Sequence, residues 1–152
     1  MSISNTAIIA ITKHGITIAR KIREKMGNVQ IYVPAKHNDL GNDITWFKEP
    51  TGDIVTSLFR EDDALICVFS LGAVIRLIAP VVASKKSDPA VLVIDDKANF
   101  IISALSGHLG GANELARQVS SFFPNSKPVI TTGADVNETI AVDLIGRQFG
   151  WE

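Results

Sequence analysis

The sequence has little of what disulfide-linked, nucleic-acid-binding and membrane-spanning proteins require. Its 152 residues include one cysteine, so no disulfide can form within the chain. The 15 basic and 16 acidic residues nearly balance, whereas nucleic-acid-binding proteins usually carry a basic excess. No apolar run approaches the ~20 residues that span a bilayer, and no signal-peptide pattern opens the chain. We therefore predict a cytoplasmic protein that binds neither nucleic acid nor membrane.

Metal-binding and nucleotide-binding motifs are also missing from the sequence. The three histidines, His14, His37 and His108, are far apart, and there is no second cysteine to join Cys67. The glycines at 107, 110 and 111 match neither G-x-G-x-x-G nor the phosphate-binding G-x-x-x-x-G-K-[ST]. We expect no protein-held metal and no cofactor. Cys67 lies in the apolar run 64–69, which predicts a reduced core residue.

The remaining composition is that of a globular domain. Apolar residues make up 46% and charged residues 20% of the chain, which is ordinary for folded proteins. Low-complexity tracts and internal repeats are absent, so we expect disorder only in residues 1–5. A chain of this length can bury most of its apolar side chains in one core. The expectation is a single domain over residues 1–152.

Strand and helix patterns alternate along the chain. Short apolar runs predict strands at 6–11, 29–33, 64–69, 91–94, 100–104 and 128–131. Helical spacing predicts helices that end before Gly27 and that span 54–60, 73–83, 108–121 and 138–149. Residues 35–51 are expected to form mostly loop, with a short strand at 44–47. The predicted class is α/β, with a mostly parallel, mixed sheet flanked by helices.

One pair of strands is expected to be antiparallel. The runs 91–94 and 100–104 flank a polar turn at 95–99, which favours a hairpin. Ser106 and His108 would then share a sheet edge with residues 131–135, whereas Ser70 and Asp95 would lie at the opposite edge. We therefore expect two separate polar clusters. The alternative is a strand–loop–strand that keeps all the polar residues at one edge.

The most informative segment is 103–116, which reads SALSGHLGGANELA. An apolar run ends at Ser106, Gly107 and His108, and the pair Gly110 and Gly111 follows where a helical pattern begins. Glycines let a ligand or a second backbone approach closely. A helix starting here would also present unpaired N–H groups that favour an anion. The same pattern fits simple packing of a helix on a strand, with Ser106 as the N-cap.

Five further side chains in or near these segments have both a functional and a structural interpretation. Histidine side chains titrate near pH ~6.5, so His108 is a candidate acid–base group, or else a solvated imidazole. Glu114 either assists His108 or stabilises the helix by placing a negative charge near its N-terminus. Asn113 can both donate to and accept from a ligand. Asp135 either caps the last helix or joins the site. Arg76, in an apolar segment, binds ligand carboxylates or extends to solvent from the surface.

Four blocks of the sequence resemble the cobalamin biosynthesis protein G (CbiG) family, in the order in which that family has them. They are 68–80 (VFSLGAVIRLIAP), 87–94 (SDPAVLVI), 103–116 (SALSGHLGGANELA) and 128–136 (PVITTGADV). The last block departs from the family pattern, because residues 131–135 read TTGAD where members read closer to TTATD. Full-length members also continue beyond the equivalent of Glu152, through a middle segment into a C-terminal domain.

The resemblance implies an activity. Family members are cobalt-precorrin-5A hydrolases of anaerobic cobalamin (vitamin B12) biosynthesis; they open a δ-lactone and release acetaldehyde to give cobalt-precorrin-5B. Cobalt would arrive within the tetrapyrrole substrate. Our candidate catalytic residues for this reaction are His108 and Glu114, and the candidate substrate-binding residues are Ser106, Gly107, Gly110, Gly111, Asn113, Arg76, Thr131, Thr132 and Asp135.

The resemblance also implies partners. These are the cobalt-tetrapyrrole, whose acetates and propionates Arg76 could bind, and the C-terminal domain of the same family. The sequence does not decide whether the protein forms a homo-oligomer. The alternative function is a non-catalytic half that binds the tetrapyrrole or serves as a scaffold and needs the C-terminal domain for turnover.

Overall fold

Residues 3–133 are described by the computed structural model of the chain. Strands and α-helices alternate in the order β1 (Thr6–Ala10), α1 (Lys13–Met26), β2 (Val29–Pro34), β3 (Thr45–Phe47), α2 (Thr51–Glu61), β4 (Ala64–Val68), α3 (Leu71–Ile78), β5 (Ala90–Ile94), β6 (Phe100–Leu105), α4 (Ala112–Ser120) and β7 (Lys127–Val129). A 3-10 segment, Ala35–Leu40, precedes β3. The predicted helix 138–149 and Asp135 lie outside the described residues.

The strands form one mixed sheet in the order β3-β2-β1-β4-β5-β6-β7. All neighbouring strands are parallel except β5 and β6, which are antiparallel. The hairpin between them is tight because the Asp95 carboxylate accepts hydrogen bonds from the N–H groups of Lys97 (3.0 Å) and Phe100 (2.7 Å). This arrangement confirms both the predicted α/β class and the predicted antiparallel pair.

Helices cover both faces of the sheet and create two apolar layers. Helices α1 and α4 pack on one face, and α2 and α3 pack on the other. Every residue of β1, β4 and β5 is buried, which explains why these strands appear as continuous apolar runs. Cys67 lies fully inside β4, and burial raises the pKa of its thiol to about 12. No helix within residues 3–133 is long and apolar enough to cross a membrane.

Two predicted segments differ from the structure in their bounds. Helix α3 was expected from about 73 to 83, with Pro80 kinking it or ending its regular part early, and it spans Leu71–Ile78. Pro80 lacks an N–H group and its ring would clash with the carbonyl one turn earlier, so the helix cannot continue. Residues 35–51, predicted as mostly loop, contain the 3-10 segment as well as the expected short strand β3.

The loop before β3 is attached to α1 by an ion-pair cluster. The Asp43 carboxylate accepts hydrogen bonds from Arg20, at 2.9 and 3.2 Å, and from Arg23. These two guanidinium groups hold the pKa of Asp43 well below its usual range. The carboxylate remains 45% exposed, so the cluster is a surface attachment rather than part of the core.

Candidate functional site

The two polar clusters predicted from the hairpin lie at opposite edges of the sheet. Ser106 follows β6, and its hydroxyl donates a 3.1 Å hydrogen bond to the carbonyl of Asp88, just before β5 begins. Thr132 follows β7, which runs parallel to β6, and its hydroxyl oxygen accepts a hydrogen bond from Asn113 in the first turn of α4. Ser70 and Asp95 instead follow β4 and β5 at the other edge. One site cannot use both groups within the described residues.

Helix α4 begins later than predicted, and Ser106 is not its N-cap. Gly111 is the N-cap, with φ 84° and ψ 14°, and the helix starts at Ala112 instead of His108. The left-handed backbone at Gly111 interrupts the helical pattern and favours glycine, because a Cβ would be strained there. Residues 106–111 therefore form a turn of their own, which we call the glycine turn.

The glycine turn uses the N–H groups that were expected to face a ligand. The Gly111 N–H donates to the His108 carbonyl at 3.2 Å, and the Ala112 and Asn113 N–H groups donate at 3.1 Å to the carbonyls of Ser106 and Gly107. These three donors are therefore occupied by the turn itself. They are therefore not available to bind an anion in this arrangement.

Two glycines of the turn are explained by contact with the protein itself. A Cβ on Gly107 would lie 2.7 Å from Asn113 Oδ1 and 2.9 Å from Thr132 Oγ1. A Cβ on Gly110 would overlap Ser106 Cβ and lie 2.8 Å from the Ser106 carbonyl oxygen. Such distances are too short for real side chains, so both positions require glycine for packing. The simple packing interpretation of this segment accounts for them without a ligand.

Asn113 forms the structural centre of this edge. The residue is 3% exposed, and its Oδ1 accepts a 2.7 Å hydrogen bond from Ser103 Oγ. Its Nδ2 donates a 3.0 Å hydrogen bond to Thr132 Oγ1. The amide therefore joins α4, β6 and the segment after β7, and these protein groups occupy both of its ends.

A small cleft of about 170 Å³ opens beside the glycine turn. It is lined by Ser106, Gly107, His108 and Leu109, together with Lys85 and Thr132. Four residues predicted for the site, Ser106, Gly107, His108 and Thr132, therefore lie together. The Nε2 atom of His108 is buried, so a ligand in the cleft would reach the imidazole by another part of the ring. Lys85 adds a cation to the lining of the cleft.

Other predicted site residues lie outside this cleft. The Glu114 side chain is 81% exposed and lies 3.6 Å from Arg117 on the same helix. Arg76 is exposed on α3, and within residues 3–133 no hydrogen bond or ion pair joins it to another group. Thr131 is exposed beside Thr132. Asp135 is outside the described residues.

A larger crevice of about 500 Å³ lies at the opposite edge, where β1 and β4 end. Its walls include Ile11, Phe69, Leu71 and Val93, and Asp95 lies at its rim. The strands β1 and β4 are neighbours, but the helix that follows β1 lies on one face of the sheet and the helix that follows β4 lies on the other. Such switch points are where open α/β sheets commonly hold ligands. From the sequence, Ser70 and Asp95 were expected to lie together at this edge, but no binding surface was predicted there.

Metal-ligating side chains do not converge in the described part of the chain. Within residues 3–133, no three His, Cys, Asp or Glu side chains are close enough to hold a metal ion. The chemistry available at the small cleft is therefore that of an imidazole, an ammonium group and two hydroxyls.

The topology and the glycine turn define the class of this protein: an open α/β domain with a mixed sheet between two helical layers. The family model described as "Cobalamin synthesis G N-terminal" matches residues 53–135. The match covers more than half of the chain and includes the glycine turn. The chain belongs to this family.

Two curated relatives and one solved structure agree with that assignment. A cobalt-precorrin-5A hydrolase of Priestia megaterium is 47% identical over 95% of this chain, and one of Salmonella typhimurium is 34% identical over 93%. A crystal structure described as a cobalamin biosynthesis protein G homolog from Sulfolobus solfataricus aligns over 94% of the chain, with 28% identity and a TM-score of 0.64. The chain spans only 39% of the length of each of these proteins.

Proposed function

We propose that this chain forms the N-terminal part of a cytoplasmic cobalt-precorrin-5A hydrolase of anaerobic cobalamin biosynthesis. The observation that carries the proposal is 47% identity with the Priestia megaterium hydrolase over 95% of this chain. The substrate is a cobalt-tetrapyrrole, and the cobalt ion enters as part of it. The products are cobalt-precorrin-5B and acetaldehyde.

The reaction requires a base, a group that stabilises an oxyanion, and a means of holding the macrocycle. Water loses a proton to the base, and its oxygen bonds to the lactone carbonyl carbon. The ring C–O bond then breaks, which leaves a carboxylic acid and an alkoxide. The alkoxide collapses to the carbonyl of acetaldehyde as its C–C bond breaks, and the electron pair passes to the macrocycle. A single acid–base group can assist both stages.

His108 is the proposed acid–base group, because it is the one imidazole in the small cleft. Lys85 lies in the same cleft, where an ammonium group attracts the carboxylates of a tetrapyrrole. The exposed Glu114 is a second candidate, but it would have to act from outside the cleft. The cleft, at about 170 Å³, is smaller than the ~300–1,000 Å³ of pockets that enclose whole ligands. We therefore propose that it receives the lactone edge while other parts of the enzyme hold the ring.

A second candidate function is a non-catalytic tetrapyrrole-binding or scaffolding half. Two observations favour it: the chain spans 39% of the hydrolases it resembles, and protein contacts account for both Gly110 and Asn113. In this case the chain would hold or position the substrate, and the remaining part of the enzyme would supply the reacting groups.

The experiment measures acetaldehyde release from cobalt-precorrin-5A under anaerobic conditions. The samples are the purified chain, the intact Priestia megaterium hydrolase, and a chimera in which this chain replaces the aligned segment of that hydrolase. Acetaldehyde from the chimera supports the proposed function, and acetaldehyde from the chain alone excludes the non-catalytic alternative. A folded chimera without activity, beside an active parent hydrolase, contradicts the proposal.

A further inference from the structure

The described residues leave four large apolar side chains exposed. One of them lines the 500 Å³ crevice, and two more belong to α3 and β6, which both contribute residues to its walls. Leu71 is 36% exposed and lines the crevice. Ile75, one turn further along α3, is 53% exposed. Phe100, 48% exposed, begins β6 and donates its N–H to Asp95 at the crevice rim. Exposed apolar side chains that cluster, rather than lie singly, mark an interaction surface.

The crevice between these side chains is itself apolar. Val93 of β5 and Ile102 of β6 line it beside Leu71 and Ala73 of α3. Ile102 lies two residues after Phe100, so both side chains point to the same face of β6. The apolar surface therefore continues from α3 across the crevice to the beginning of β6. We call Leu71, Ile75, Phe100 and the crevice between them the α3–β6 surface.

The rim of the α3–β6 surface is acidic, and its acidic groups are held in place. Both carboxylate oxygens of Asp95 accept backbone N–H groups, and Asp96 accepts a 2.6 Å hydrogen bond from the Thr12 hydroxyl. Fixed carboxylates at the rim disfavour the approach of an anionic tetrapyrrole and favour a partner that carries basic side chains. An apolar centre with a charged rim is the usual anatomy of a protein–protein interface.

We propose that the α3–β6 surface docks the part of the hydrolase that lies outside the segment shared with this chain. That part makes up most of each relative, since the chain spans 39% of their length. The docking segment presents large apolar side chains to the crevice and basic side chains to Asp95 and Asp96. It binds at the edge opposite the glycine turn, so the His108 cleft stays open to substrate. This docking rests on the proposed place of the chain in a longer hydrolase, but not on His108 acting as the acid–base group.

The test uses the whole 152-residue chain and, as the probe, the remaining part of the Priestia megaterium hydrolase expressed separately. Binding is measured by isothermal titration calorimetry with the parent chain, Ile75→Asp and Phe100→Asp. The control is Gln118→Asp, which introduces the same charge at an exposed position of α4. We expect the two surface variants to weaken binding at least tenfold and the control to bind like the parent. Urea unfolding and circular dichroism check that each variant is folded.

Hydrogen–deuterium exchange supplies a second readout that does not depend on the variants. In the chimera with the Priestia megaterium protein, amides of α3 and of the 95–102 hairpin should exchange more slowly than in the chain alone. Equal binding by parent, Ile75→Asp and Phe100→Asp overturns the proposal, as does unchanged exchange in the chimera. The proposal is also overturned if the chain dimerises in a concentration-dependent way and both variants abolish the dimer, because the surface would then bind a second copy of the chain. Acetaldehyde release is a separate readout, so failure of the proposed activity would not be confused with failure of docking.

Discussion

Asn113 donates a 3.0 Å hydrogen bond from Nδ2 to Thr132 Oγ1, and this bond joins the first turn of α4 to the segment after β7. Its Oδ1 accepts from Ser103 on β6 at the same time. Asn113 and Thr132 are 19 residues apart in the sequence. Their contact shows that the SGHLGGAN segment and the residues directly after β7 belong to one structural unit.

Asn113→Ala should destabilise the fold by about 1–3 kcal/mol, because it leaves the Ser103 and Thr132 hydroxyls without a buried partner. Urea unfolding followed by circular dichroism measures the change. Gln118→Ala, at an exposed position of the same helix, should change stability by less than about 0.5 kcal/mol. Equal stability of Asn113→Ala and the parent would show that the amide is not structural, and its role in substrate binding would then become the stronger interpretation.

Gly110→Ala should also destabilise the chain, by about 1–3 kcal/mol, because the new Cβ would collide with Ser106 and force the turn to move. The matched control is Gly72→Ala in the first turn of α3, where a Cβ meets nothing within 4 Å. Alanine is favoured over glycine in a helix, so that variant should gain about 0.4–1 kcal/mol. We expect the urea midpoint to fall in Gly110→Ala and to rise in Gly72→Ala. If Gly110→Ala is as stable as the parent, the turn has room for a Cβ, and contact with a ligand becomes the better explanation of this glycine.

The sequence predicted the α/β class, the antiparallel hairpin and the separation of the two polar edges, because these follow from apolar runs and one polar turn. It left open whether Gly107 and Gly110 pack against the protein or admit a ligand, since the answer depends on where the side chains of Asn113, Thr132 and Ser106 lie. The start of α4 was placed too early because glycine at 111 in a left-handed conformation cannot be told from helical glycine by spacing alone. The α3–β6 surface was missed for a similar reason: Leu71, Ile75 and Phe100 belong to separate apolar runs that would ordinarily be assigned to the core.

The attachment of the 41–44 loop to α1 should weaken at low pH. Arg20 and Arg23 hold the pKa of Asp43 below its usual value, so the carboxylate stabilises the fold fully above the unfolded-state pKa of ~3.9. This contribution is lost as pH falls towards the lower folded-state pKa. Asp43→Asn should therefore be less stable than the parent at pH 7, by less than about 1 kcal/mol because the group is half exposed, and the difference should shrink towards pH 2. A difference that stays constant between pH 7 and pH 2 would show that the ion pair is not its source.

His108→Ala should slow lactone opening in the chimera with the Priestia megaterium hydrolase and leave substrate binding nearly unchanged. Loss of an acid–base group typically lowers the rate ~100- to 10,000-fold, and His108 is the imidazole that lines the small cleft. Because its Nε2 is buried, the substitution can also disturb the turn, so urea stability is measured beside activity and His108→Gln serves as a second variant. Acetaldehyde release is followed from pH 6 to 8, where an essential imidazole would impose a pH dependence on the parent rate.

Glu114→Gln is the companion variant. Because Glu114 is exposed and lies outside the cleft, we expect a smaller loss of rate than in His108→Ala. Parent-like turnover by a stable His108→Ala chimera across this pH range would remove the imidazole from the reaction, and the catalytic groups would then have to come from the rest of the enzyme.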